Sequence, residues 1–159
     1  KILFAAIIVF LLLTLYVVFT NYMGLPETVP IHFNAQGEPD AWGSKTSLLI
    51  LPGVQVFVTA LAFIIYKYPN YANIPSTMAL AALPEKTKQK AYEIIRDMEL
   101  ITLTLVNMLF LYIVYQNIMI AREEIIEMNT MVIWVFLAIL VPIIIYYAIR
   151  MRRIYKQKD

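Results

Sequence analysis

Four uncharged apolar runs alternate with polar stretches along this chain: Ile2–Pro26, Thr46–Tyr66, Leu100–Ala121 and Met128–Ile149. About 20 helical residues cross a hydrocarbon core of about 30 Å, so each run is long enough to span a bilayer. Inside lipid a backbone must satisfy its own hydrogen bonds, which makes a run of this length helical. The pattern predicts an all-α integral membrane protein with four transmembrane helices, at about 2–21, 47–66, 99–121 and 129–150. Between them it places an ordered outer loop at 22–46 and a cytoplasmic connection at 67–98. The whole reads as one membrane domain.

The first run is longer than the about 7–15 apolar residues of a signal peptide and is followed by no small-x-small cleavage site, so it is expected to be a retained helix. In the loop, Val29, Ile31 and Phe33 alternate with Pro30, His32 and Asn34, the period-2 signature of an extended segment with one apolar face. Pro26 and Pro30 fix φ and disfavour helix just before them. Asn34-Ala35-Gln36-Gly37 reads as a turn, and Glu38-Pro39-Asp40 as irregular chain. Trp42 suits the membrane interface. The loop is expected to form an ordered cap on the bundle.

Ser44 or Thr46 can cap the second helix, while Pro52 and Gly53 bend it or mark its start. The connection that follows carries an apolar patch at Ala79–Leu83, expected against the membrane. Behind Pro84, Ala91, Ile94, Ile95 and Met98 recur at helical spacing and predict an amphipathic helix running straight into the third span. Asn129 or Thr130 can cap the fourth helix, and Pro142 lies inside it.

Composition strengthens this reading. The chain is 61% hydrophobic with a mean hydropathy of +0.70, above the roughly 45–50% apolar content of soluble domains. It has no cysteine, which excludes disulfides and thiolate chemistry. Charge sets the orientation. Of 13 basic residues, all but Lys45 and Arg122 fall at the termini or in the 67–98 connection. The positive-inside rule then makes both termini cytoplasmic, in a multi-pass protein of the bacterial cytoplasmic membrane, and puts the 22–46 loop outside.

Candidate chemistry is sparse. His32 is the sole histidine. A zinc site with Asp40, Glu38 or Glu27 competes with a hydrogen bond inside the loop, and one histidine in the chain favours the hydrogen bond. Glu38 and Asp40 have no neighbouring nucleophile to serve as an acid–base pair. Asn107 and Gln116, with Thr14, Gln55 and Thr59, are expected to bond between helices. The basic C-terminal stretch suits anionic lipid better than nucleic acid. No cofactor or metal is expected, and no enzymatic activity.

The loop also carries a resemblance. Pro26, Pro30, His32, Phe33, Asn34, Gly37, Asp40, Gly43, Ser44 and Lys45, with Lys67–Asn70 after the second span, resemble a bacterial domain of unknown function, DUF1648, found at the N-terminus of SdpI-type immunity proteins. The resemblance covers roughly residues 2–115. Proteins of that type carry a further membrane domain after this one. They protect a cell from its own secreted peptide toxin and can hold a cytosolic repressor at the membrane. The resemblance thus implies an immunity or sensing role. The outer loop would bind a peptide toxin or envelope ligand through His32, Asn34, Asp40 and Trp42, and the cytoplasmic side would hold a cytosolic or membrane protein partner. The alternative is a structural accessory subunit of a larger membrane complex such as a transporter.

Overall fold

A computed structural model describes residues 1–68 and 84–156. The Ala79–Leu83 patch and Lys158 lie outside the described residues. Helix α1 runs Ile2–Tyr22. A two-stranded antiparallel hairpin follows, β1 (Thr28–Phe33) and β2 (Pro39–Ser44). A 3₁₀ turn, Lys45–Leu49, leads into α2 (Ile50–Lys67). Two long helices close the chain, α3 (Glu85–Ala121) and α4 (Met131–Lys156).

The protein is a mostly helical, multi-pass membrane protein whose four long apolar helices are each able to span a bilayer. Side chains such as Leu12, Phe19, Phe57 and Trp134 stand on its outside, Phe19 being 84% exposed. Apolar surface on that scale belongs in lipid. The hairpin is the addition to an all-helical plan. The second strand escapes a sequence reading because Pro39, Asp40 and Gly43 all disfavour strand.

Helix α3 is the central post. The other three helices and β1 all pack on it, and α2 and α4 meet mainly through it. Near its start, Ala91, Ile94 and Ile95 are buried against Tyr147 and Ile154 of α4. The amphipathic segment therefore continues into the third span as one 37-residue helix. Further along, Leu100 and Leu103 pack with Ile7 of α1, and Phe63 and Tyr66 of α2 close around Phe4. At the hairpin end, Val114, Ile118 and Ala121 meet Val18, Leu25, Val29 and Leu48.

Local chemistry sets the joints. Ser44 caps the 3₁₀ turn through the Thr46 amide. Pro52 falls in the first turn of α2, where a missing N–H costs no helical hydrogen bond. Asn129 Oδ1 accepts from the Met131 amide and caps α4. Halfway along the bundle, Asn107 Oδ1 accepts from Gln55 Nε2 at 2.8 Å and Thr59 Oγ1 at 3.4 Å, while its Nδ2 donates to Leu103 O. These residues tie α2 to α3, the interhelical use expected for Gln55, Thr59 and Asn107. Thr14 instead donates to Phe10 O on its own helix.

Candidate functional site

The hairpin is fixed to the bundle at three levels. At its base the Lys45 amide donates to Glu27 O, Lys45 Nζ meets Glu27 Oε1 at 2.8 Å, and the ammonium stands over the Tyr22 ring. At its middle, Asn117 Nδ2 of α3 donates to Pro30 O at 2.9 Å in a buried contact. At its tip, the Met128 amide of the α3–α4 loop donates to Gly37 O at 2.8 Å.

The tip explains Gly37. Its φ is +93°, and a Cβ there would stand 2.0 Å from Met128 O. Both positive φ and close backbone approach demand glycine. Asn34 builds the same turn. Its Oδ1 accepts from the Gln36 and Glu38 amides, and its Nδ2 donates to Glu38 Oε2 at 2.7 Å. The Asn34 side chain is thus committed to holding the turn.

Strand pairing is irregular in a way that assembles the polar face. Pro30 pairs with Trp42, His32 with Ala41, and Phe33 with Pro39. Ile31 and Asp40 are left out of the pairing, one on each strand. Such bulges re-aim side chains. Here they bring His32 Nδ1 to 2.5 Å from Asp40 Oδ1, the loop hydrogen bond that the sequence favours over a metal site. Glu38 turns to Asn34 and Glu27 to Lys45, away from this pair. The same slip breaks the expected apolar face: Val29 and Pro30 are buried, whereas Ile31 is 51% exposed. The side chains of His32 and Asp40 are 69% and 44% exposed, and Trp42 is 52% exposed. Of the four candidate residues, His32 and Asp40 meet directly. Trp42 lies across the ladder from Pro30, and Asn34 serves the turn.

Beneath β1 lies a cavity of about 520 Å³. Pro30 to Asn34 cover it, Ile113 and Asn117 of α3 line it, and Leu48, Ile50 and Leu51 bound it on one side. Met128, Thr130 and Ile133 bound it on the other. Asn117 is a candidate-site residue that the sequence conceals. It sits in an apolar run beside Gln116, and only the phase of the helix decides which of two adjacent polar side chains turns inward. Among the described residues, no group of three or more histidine and acidic side chains is placed to hold a metal ion.

Residues 9–56 match the family described as Domain of unknown function (DUF1648). The match takes in most of α1, the whole hairpin and the start of α2. An uncharacterized protein of Archaeoglobus fulgidus is 48% identical over 73 residues, covering 41% of this chain and 39% of that protein. The matched stretch therefore spans about two fifths of the relative's length. No solved structure matches.

Proposed function

We propose that this chain is a non-enzymatic membrane protein of the immunity or sensing type, in which the hairpin recognises a peptide or envelope ligand. The observation that carries the reading is a polar face on a rigid mount. Three separate anchors hold the hairpin to the helices, yet His32, Asp40 and Trp42 stay accessible. A preorganised surface binds without an ordering cost. His32, Asp40 and Trp42 form the contact face, and Asn34 keeps the turn that presents it. The resemblance of this loop to SdpI-type immunity proteins supports the same reading.

The charge bias supports an orientation with both termini cytoplasmic and the hairpin outside, in the cytoplasmic membrane of a bacterial or archaeal cell. The start of α3 and the end of α4 then project into the cytoplasm, where their joint surface holds a protein partner.

The test is affinity purification from native membranes in mild detergent, comparing the wild type with the His32→Ala, Trp42→Ala double variant by mass spectrometry. A partner lost from the variant alone supports recognition by the hairpin. A partner kept by both rejects it. The second outcome favours an accessory subunit of a larger membrane complex. One observation speaks for that role: an apolar groove of about 720 Å³ between α1 and α2, lined by Leu15, Phe19, Leu49, Gly53 and Val56. A fixed stoichiometry with a second membrane protein would mark it.

A further inference from the structure

Asn117 is bonded by half. Its Nδ2 must be the group facing Pro30, because a carbonyl oxygen only accepts. That leaves Oδ1 as the other amide atom, and it has no hydrogen-bond partner although the residue is only 6% exposed. A stranded buried acceptor is costly and rare in folded proteins. This one belongs to a side chain that lines the cavity under β1, whose volume of about 520 Å³ falls in the range of small-molecule sites.

We propose that this cavity binds a neutral membrane amphiphile, with a hydroxyl or amide N–H of its head donating to Asn117 Oδ1. The lining selects the class. It is apolar for the most part, with Ser47, Asn34, Thr130 and the His32 imidazole, already bonded to Asp40, as further polar groups, and no lysine, arginine or carboxylate lines it. An ionic head would lose its water without a countercharge there, whereas a neutral donor needs one acceptor. The route selects the source. α2 and α4 meet mainly through α3, so a gap floored by α3 runs between them under the hairpin. Ile50, on the rim at the start of α2, is 62% exposed. The hairpin covers the aqueous side, and the apolar rim admits a tail from the bilayer.

The site shares His32 and Asn34 with the outer-face reading but turns on Asn117 and Ile113, which that reading does not use, so either can fail alone. The probe pair is 1,2-dioleoylglycerol, which has a free hydroxyl, and its 3-O-methyl ether, which keeps the tails and loses the donor. The full chain, reconstituted in nanodiscs, is titrated with each and read by native mass spectrometry. The wild type should retain the hydroxyl lipid about ten-fold better, the ratio expected of one buried hydrogen bond. Asn117→Leu should abolish that preference. Ile113→Trp should fill the space and lower retention of both lipids while leaving the Asn117–Pro30 bond in place, which keeps the test decisive if the Asn117 variant fails to fold. Equal retention of the two lipids by the wild type overturns the proposal. So does an unchanged preference in Asn117→Leu, undiminished retention in Ile113→Trp, or the finding that a peptide or only bound water fills the site.

Discussion

Asn107 and Asn117 are both buried on α3, ten positions apart, and they are treated in opposite ways. Asn107 engages its oxygen and its amide nitrogen with Gln55, Thr59 and the Leu103 carbonyl. Asn117 gives its nitrogen to the hairpin and leaves its oxygen unpaired. The first stands where three helices are already in contact and locks two of them. The second stands where the helices part and an extended segment bridges the gap. Gln55, at the first joint, also keeps an unpaired oxygen, but it is only 1% exposed and lines neither the cavity under β1 nor the groove between α1 and α2, whereas the unpaired oxygen of Asn117 belongs to a side chain that lines the former.

Four substitutions test this contrast. Gly37→Ala should cost most, about 3 kcal/mol, by overpacking at a position of positive φ. It separates the hairpin tip from Met128, so hydrogen exchange at the hairpin amides should rise steeply while the core of α3 stays protected. Asn107→Leu should cost about 2 kcal/mol by stranding Gln55 and Thr59, read as a lower unfolding midpoint in mild detergent. Asn117→Leu should cost less, about 1 kcal/mol, because it loses one bond and also removes an unpaired acceptor. If Asn117→Leu proves the more damaging of the two, the distinction between joint and open site collapses. Trp42→Ala should change stability by no more than about 0.5 kcal/mol, since the ring is half exposed, and circular dichroism melts alongside the wild type check it.

The helices were legible because lipid imposes a simple rule: long uncharged runs must be helical. The continuity of α3 was legible too, from the spacing of Ala91, Ile94, Ile95 and Met98 ahead of Leu100. The first strand and its turn could be read from alternation and from Asn34 to Gly37. The second strand could not, because Pro39, Asp40 and Gly43 are local poor fits that the docked first strand overrides. The faces of β1 were also hidden. Leaving Ile31 and Asp40 out of the pairing is a decision made across two strands, and neither strand alone contains it. Met128 as the partner of Gly37, and Asn117 as the partner of Pro30, are contacts between segments more than eighty residues apart. Local pattern carries no record of them.

The length of α3 has a mechanical meaning. Thirty-seven residues at 1.5 Å each make a rod of about 56 Å, nearly twice the thickness of a hydrocarbon core. One end is pinned to the hairpin and the other is sheathed by the last turns of α4. A tilt of about 5° about the pinned end would swing the far end by about 5 Å, a full helical pitch. Any tilt of so long a helix is thus read at its far end as a lever stroke, magnified by distance alone.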